Sequence, residues 1–187
     1  GARDNAVAVA QLLRVAELFS AGPRPERSVL FLAVGAEEQG LLGSRYHSLN
    51  PTFPPSAMAA AINFELANIW GPTQDLPLIG HGKSELDHHF AREAGALDRT
   101  LTAERFPDRG FFYRSDQFSF ARIGVPAVWI ETGVQPRGSS EDALSQQILE
   151  WEQNHYHSTS DEYDPGWDLR GAAEDAWIAF RVGRELA

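Results

Sequence analysis

The sequence predicts a single domain of the α/β class with a mostly parallel sheet. Short apolar runs of strand length alternate with longer segments in which apolar residues recur at helical spacing. The 187 residues suffice for one domain with a sizeable core, and no internal repeat or linker divides them. With 43% hydrophobic and 22% charged residues, the composition is ordinary for a globular protein, so nothing argues against this class.

Charge and composition exclude several classes of function. The formal net charge is -10 and Lys and Arg form no cluster, which argues against a nucleic-acid or anionic-membrane partner. No uninterrupted apolar run approaches the ~20 residues of a membrane-spanning helix, so no membrane span is expected. The chain contains no cysteine, which rules out disulfides and thiolate chemistry.

The first half of the chain is predicted to hold a helix, a strand buried on both faces, a second helix and another apolar run. These segments cover 5–21, 28–34, 40–48 and 57–64. Asp4 or Asn5 is a candidate N-cap of the first helix, and the prolines in 22–26 end that helix. The apolar run ends directly before Glu65.

The second half continues the alternation of strands and helices. Strands are predicted over 76–80, 101–106 and 125–130, and helices over 84–95, 115–123, 141–153 and from Asp168 to the C-terminus. Two loops interrupt this pattern, an aromatic one over 107–114 and a polar one rich in Asp and His over 154–167.

Two adjacent carboxylates, Glu37 and Glu38, follow the strand predicted over 28–34. The carboxyl ends of sheet strands are where α/β proteins bind ligands. Neighbouring residues of an extended segment point in opposite directions, so one glutamate can hold a metal while the other faces a bound water. Taken alone, the pair also fits a solvated acidic loop.

Four acidic or imidazole residues fall at the ends of predicted elements, namely Asp4, Glu38, Glu65 and His157. Each has a simpler alternative when taken singly, such as a helix N-cap for Asp4 or a solvated loop histidine for His157. Together they are a set of carboxylates and imidazole without thiolates, which suits a hydrolytic rather than a structural zinc site.

Six segments spread along the chain carry a family resemblance. They are GARDNA at 1–6, AEEQGLLGS at 36–44, INFE at 62–65, YRSDQF at 113–118, GVPA at 124–127 and YHSTSD at 156–161. With these segments the chain resembles the zinc aminopeptidases that include the secreted bacterial leucine-type enzymes, with glutamate carboxypeptidase II and the glutaminyl cyclases as relatives. The resemblance covers essentially the whole chain and implies a zinc exopeptidase-like fold, three-layer α/β/α with a mostly parallel mixed sheet.

The resemblance also implies roles for individual residues. Asp4 would bridge two zinc ions, Glu38 and His157 would complete the first site, and Glu65 would belong to the second. Glu37 would act as general base and acid, taking a proton from the attacking water and passing it to the leaving amine. Tyr113 is a candidate donor to the substrate carbonyl oxygen, with an aromatic residue that packs a loop as the alternative.

Three departures from the family pattern qualify these roles. The second zinc of the family takes a histidine from a HxD motif upstream of GAxDN, and nothing precedes Gly1 here. We therefore expect residues 1–187 to be one zinc peptidase catalytic domain that lacks the N-terminal strands and the first histidine ligand, with one complete zinc site out of two. Glu65 stands where Asp is usual, and Gln117 replaces the histidine of the SDH motif.

The expected function is a zinc-dependent metallo-aminopeptidase that removes N-terminal residues from peptide substrates. One alternative is a glutaminyl cyclase-like enzyme with a single zinc, which the glutamate at position 65 fits, and another is a non-catalytic, receptor-like binding domain. Glu131 is a candidate acceptor for the substrate amine. Bacterial members of the family are usually exported, so a secreted or periplasmic location is expected.

Overall fold

The computed structural model describes residues 1–139 and 143–187. At its centre lies a four-stranded mixed sheet in the order β1-β4-β2-β3. The strands are β1 (Ala61–Asn63), β2 (Asp75–Ile79), β3 (Thr100–Ala103) and β4 (Ala127–Ile130). β1 pairs with β4, and β2 with β3, in parallel, while β2 and β4 are antiparallel. This arrangement confirms the prediction of a mixed, mostly parallel sheet.

Helices cover both faces of this sheet. They are α1 (Val7–Ala21), α2 (Leu42–Leu49), α3 (Leu86–Gly95), α4 (Gln117–Ala121), α5 (Ser145–His155) and α6 (Arg170–Leu186). α1, α3 and α6 pack together on one face, and α2 packs with α4 on the other. Among the described residues, no helix is both long and apolar enough to cross a membrane.

Alternation along the two central strands builds a core on each face. Leu76 and Leu78 of β2, with Val128 and Ile130 of β4, contact α3 and α6 in the larger core cluster. Ile79 and Trp129 point the other way, because successive side chains of a strand alternate between faces, and they pack with Phe112 and α4. All residues of β2 and β4 are buried, so these strands hold the domain together.

A buried ion pair fixes α6 to the sheet. Arg99, which precedes β3, donates from Nη1 to Asp175 Oδ1 of α6 at 2.6 Å. Its Nη2 donates to Thr73 Oγ1 at 3.0 Å and to the Asp75 carbonyl at 2.9 Å. Because both charged side chains are almost fully buried, each depends on the other for compensation of its charge.

The prediction of a strand over 28–34 is wrong. The described backbone of this segment makes no hydrogen bond to other backbone, and none of its seven residues is fully buried. An extended apolar run becomes a strand only when a neighbouring strand satisfies its N–H and C=O groups. The apolar run over 57–64 likewise forms a strand only at β1.

Several element boundaries also differ from the prediction. The helix predicted from residue 5 begins at Val7, since Asp4 and Asn5 have non-helical backbone angles, and neither side chain caps it. The strand predicted over 101–106 is β3, which ends at Ala103. The helix predicted over 141–153 corresponds to α5, and the predicted start at Glu141 and Asp142 lies outside the described residues.

Candidate metal centre and active site

Three side chains from distant parts of the sequence converge at the edge of an open pocket of about 570 Å³. His157 Nε2 lies 2.9 Å from Glu38 Oε1 and 3.4 Å from Asp4 Oδ2. One ligand atom from each of the three lies within 4.8 Å of the others. The structure thus brings together three of the four residues predicted to bind zinc.

The geometry of this trio fits a zinc ion. Zinc binds imidazole nitrogen and carboxylate oxygen at about 2.0–2.2 Å, which places neighbouring ligand atoms of a tetrahedral site about 3.3 Å apart. The measured separations of 2.9 and 3.4 Å lie on either side of that value. Three protein ligands with one open position are typical of catalytic rather than structural zinc.

Asp161 holds the turn that carries Asp4. Its two carboxylate oxygens accept the backbone N–H groups of Arg3 and Asp4, each at 2.9 Å. Its backbone carbonyl accepts the N–H of Ala2, also at 2.9 Å. A single buried side chain therefore connects the loop of His157 to the N-terminal turn, and this fixes one ligand relative to the other.

The guanidinium of Arg3 reinforces the same turn from inside the protein. It lies between the rings of Trp70 and Trp151, 4.7 and 4.4 Å from their centroids. Its Nε donates to the Ala67 carbonyl at 3.0 Å, and burial lowers its pKa to about 10. Because Trp151 belongs to α5, which leads into the loop of His157, the Arg3 contact ties that helix to the turn of Asp4.

His157 itself follows α5 in a left-handed backbone conformation, with φ of 53°. Its ring stacks on Tyr156 with centroids 3.7 Å apart. Burial, followed by the charges of the nearby carboxylates of Asp4 and Glu38, raises the pKa of Tyr156 to about 12. The sequence analysis missed Tyr156, although its position beside His157 in the YHSTSD segment was visible.

Glu37 and Glu38 lie in a tight turn before α2. The Glu37 carbonyl accepts the N–H groups of Gly40 and Leu41 at 3.0 and 2.8 Å. A Cβ at Gly43 would lie 2.5 Å from the Gly35 carbonyl oxygen, so this close approach of helix and turn requires glycine. The turn directs Glu38 to His157 and leaves Glu37 outside the trio.

Glu37 is surrounded by other carboxylates. Burial, followed by the charges of Glu65, Glu38 and Asp116, raises its pKa to about 8. This cluster of acidic groups creates a negative electrostatic potential that attracts a cation, as expected at a metal site.

Glu65, the fourth predicted ligand, lies close to the trio but is not part of it. Its carboxylate accepts hydrogen bonds from Ser115 Oγ and from Asn5 Nδ2, the latter at 3.4 Å. Burial raises its pKa, and the charge of Asp4 acts in the same direction. Gln117, at the position of the family histidine, is buried and bonded at both ends, to Asn63 and to the Phe112 carbonyl.

Two other predicted site residues lie away from the trio. The ring of Tyr113 packs edge-on against Phe118 and is 59% exposed, and no described hydrogen bond or ion pair connects it to the trio. Glu131 is largely buried 3.8 Å from Arg105 and does not line the open pocket. Among the aromatic residues nearby, Phe112 and Trp129 belong to the core with Phe111 packed against them, and Trp70 stacks on Arg3.

Comparison with known proteins gives a family match, a curated relative and solved structures of similar fold. A sequence model described as peptidase family M28 matches residues 1–181. The probable lipoprotein aminopeptidase LpqL of Mycobacterium tuberculosis is 28% identical over 157 residues, which cover 76% of this chain and 31% of that protein. The chain therefore spans about a third of the length of this curated relative.

Two solved structures share the fold at low sequence identity. The zinc aminopeptidase BSAP from Bacillus subtilis matches 99% of this chain and 42% of its own, with a TM-score of 0.74 and 18% identity. The glutaminyl cyclase of Porphyromonas gingivalis matches 100% of this chain and 64% of its own, with a TM-score of 0.63 and 17% identity. Both matches support the three-layer α/β architecture.

Proposed function

Because the chain belongs to peptidase family M28, we propose that residues 1–187 form the catalytic domain of a zinc-dependent metallo-aminopeptidase. The enzyme would hydrolyse N-terminal residues from peptides. The observation that carries this proposal is the convergence of Asp4, Glu38 and His157 on one point at the edge of an open pocket. The curated relative described as a probable aminopeptidase supports the same reaction.

In this proposal Asp4, Glu38 and His157 hold zinc, which when bound would lower the pKa of a water and polarise the scissile carbonyl. Glu37 lies in the same turn as Glu38 and is outside the ligand trio. Its free carboxylate can take the proton of the attacking water and deliver it to the leaving amine. Tyr113 remains a proposed donor to the carbonyl oxygen, a role that requires its exposed ring to move towards the substrate.

A second zinc would use Asp4 and Glu65 together with an imidazole from outside residues 1–187. The position of Glu65 supports this part of the proposal, because Asn5, the residue after Asp4, donates a hydrogen bond to its carboxylate. An acidic group that is partly buried beside other carboxylates gains from a cation that neutralises it.

We propose a secreted or envelope-associated location for the natural protein. The relative from Mycobacterium tuberculosis is described as a probable lipoprotein, which supports a place outside the cytoplasm. Separating the secreted, envelope and cytoplasmic fractions of the source cells and detecting the protein in each would test this location.

A glutaminyl cyclase-like activity is the second candidate, since Glu65 occupies the second carboxylate position and the cyclase shares the fold. An assay of the zinc-loaded natural protein on a leucine anilide and on a peptide with N-terminal glutamine separates the two. Release of the aniline supports the aminopeptidase, whereas cyclisation of the glutamine without hydrolysis of the anilide supports the cyclase. A protein that takes up no zinc and converts neither substrate would instead be the receptor-like binding domain.

A further inference from the structure

Glu131 is a buried carboxylate whose need for hydrogen bonds is not met by the described part of the chain. Only 13% of its side chain is exposed. Its Oε2 has no hydrogen-bond partner among the described residues, and its Oε1 lies 3.8 Å from Arg105 Nη2, which is too far for a hydrogen bond. Buried polar groups are nearly always hydrogen-bonded, and an unpaired buried carboxylate is especially costly. The side chain of Glu131 therefore requires a further donor.

The indole of Trp129 is a second unpaired polar group on the same side of the sheet. Trp129 lies in β4 and Glu131 directly follows this strand, so the two side chains, two positions apart, point to the same face. Trp129 is only 4% exposed, and its Nε1 has no hydrogen-bond partner among the described residues. Phe111 packs edge-on against its ring, with centroids 6.2 Å apart. Unpaired polar groups beside aromatic rings indicate a place for a ligand with both a polar and an apolar part.

The charges around Glu131 favour a cation as this ligand. The charged groups that act on it are the carboxylates of Glu104 and Glu152 and the guanidinium groups of Arg105 and Arg3. Together with Glu131 there are three carboxylates for two guanidinium groups, so one negative charge is left over. Oε2 of Glu104 is likewise buried without a partner among the described residues. A single positive charge would complete this set.

The register of the sheet places Glu131 beside the candidate metal centre. β1 and β4 are parallel, and their last pair is Asn63 with Trp129. Two residues further along each strand direction lie Glu65 and Glu131. The Thr132 hydroxyl donates to the backbone carbonyl of the residue after Glu65 at 3.2 Å, so the two segments stay side by side beyond the ladder. Since neighbouring strands are about 5 Å apart, Glu131 lies one strand away from the proposed ligand of the second zinc.

The position of Glu131 fits the side chain of a substrate's first residue better than its α-amine. An α-amine lies only about 2.5 Å from the carbonyl carbon that is attacked, so it must lie in the open pocket of the metal ligands. Glu131 does not line that pocket. A lysine carries its ammonium on a four-carbon stem, about 6 Å from its Cα, which is long enough to reach the neighbouring strand.

We propose that Glu131 binds the positively charged side chain of the substrate's N-terminal residue, so that the enzyme removes lysine and arginine in preference to uncharged residues. This specificity rests on the aminopeptidase activity proposed above. The aliphatic stem of the substrate side chain packs against the rings of Trp129 and Phe111, while its charged end meets the unpaired oxygen of Glu131. Without substrate the buried carboxylate destabilises the fold, as groups that serve binding often do.

The first test compares lysine anilide with norleucine anilide, whose side chain has the same four carbons without the ammonium. kcat/KM is measured on the zinc-loaded natural protein, on Glu131→Gln and on Glu162→Gln, an exposed control. We expect the natural protein and the control to favour lysine at least about 10-fold, and Glu131→Gln to lose this preference, because hydrogen bonds to charged groups contribute that much. No preference for lysine in the natural protein overturns the proposal. An equal loss on both anilides in Glu131→Gln also overturns it, because Glu131 would then hold the α-amine.

The second test measures binding without turnover, so it does not depend on peptidase activity. Free lysine and free norleucine are titrated into the zinc-loaded natural protein and into Glu131→Gln by calorimetry. We expect lysine to bind the natural protein at least about 10-fold more tightly than norleucine, and both to bind Glu131→Gln equally. Equal affinities in the natural protein overturn the proposal. Preferential binding of lysine without hydrolysis of any anilide supports the side-chain site and contradicts the proposed function, whereas hydrolysis without a preference for lysine does the reverse.

Discussion

At the scale of single residues, Asp161 shows how the chain positions Asp4 with a side chain that lies outside the trio. Its carboxylate accepts the backbone N–H groups of both Arg3 and Asp4. Residues that orient metal ligands commonly change metal affinity about 10–100-fold when they are mutated. We therefore expect Asp161 to affect zinc binding through the position of Asp4, without direct coordination.

Substitution of Asp161 by Asn tests this role. Asn keeps the size of the side chain but replaces one acceptor oxygen with a donor, so one of the two bonds to the turn of Asp4 is lost. We expect zinc to bind about 10-fold more weakly, measured by competition with a chromogenic chelator. Asp164→Asn is the control, because Asp164 lies in the same loop and its side chain accepts only the nearby Gly166 N–H among the described residues. Equal zinc affinity in Asp161→Asn and the unaltered protein would contradict the role.

The trio of Asp4, Glu38 and His157 was predictable because each residue lies in a recognisable short motif. The residues around them were not. Arg3 is an ordinary charged residue in the sequence, and only the structure reveals that it is buried between Trp70 and Trp151. Short motifs identify the candidate ligands, whereas contacts between residues at least 64 positions apart hold these ligands in place.

At the scale of secondary-structure elements, one buried ion pair joins α6 to the sheet, in addition to the apolar contacts of the helix. Asp175 faces Arg99 at 2.6 Å, and Arg99 has no exposed side-chain surface. Removing one member of a buried pair leaves the other charge uncompensated in an apolar environment, which costs about 3–5 kcal/mol. The pair is therefore more important for holding α6 in place than any exposed ion pair.

We expect Asp175→Ala to lower the free energy of unfolding by about 3–5 kcal/mol, measured by urea denaturation. The neighbouring Glu174 is a matched control, because it bonds mainly to the half-exposed Arg137 at 3.1 Å. Glu174→Ala is expected to cost less than about 1 kcal/mol, as surface pairs do. Similar losses in both variants would show that burial of the Arg99 pair does not matter.

The strands that have a paired strand on both sides were predicted best. β2 and β4 were found within two residues of their actual bounds because they are short apolar runs in the centre of the sheet. Residues 28–34 have the same kind of sequence, but this chain provides no backbone partner in the described part. A local pattern reports the preference for a strand, whereas the strand itself forms only where a second segment pairs with it.

At the scale of the whole molecule, a mixed sheet between two helical layers brings the ends of separate segments to one site. Residues 36–38, 65 and 157 come from different elements and meet beside the N-terminal turn. The alternation of strands and helices was enough to predict the fold class. The antiparallel pairing of β2 and β4 was not predictable, because it depends on long-range topology.

The global stability is expected to depend on pH through Glu131. Burial raises its pKa from 4.5 to about 7, so the folded state binds its proton more tightly than the unfolded state does. Its favourable contribution is complete below pH 4.5 and is lost as the pH rises to about 7. The unfolding free energy of Glu131→Gln, relative to that of the unaltered protein, should therefore increase by about 2–3 kcal/mol from pH 5 to pH 8.

Urea denaturation at both pH values measures this difference, with the exposed Glu162→Gln as the control. The unfolding free energy of Glu162→Gln should follow that of the unaltered protein at both pH values. If the difference in unfolding free energy between Glu131→Gln and the unaltered protein is the same at pH 5 and pH 8, Glu131 does not titrate in this range.

The central claim, a zinc peptidase in which Glu37 moves the proton and its neighbour Glu38 holds the metal, is tested most directly by Glu37→Gln. Zinc content and leucine anilide turnover are measured together on the natural protein, on this variant and on His157→Ala. We expect Glu37→Gln to keep its zinc and to lose about 10²–10⁴-fold in kcat, because proton transfer by a positioned carboxylate contributes that much. His157→Ala should lose the zinc itself. Full turnover by Glu37→Gln, or loss of its zinc, would contradict the account.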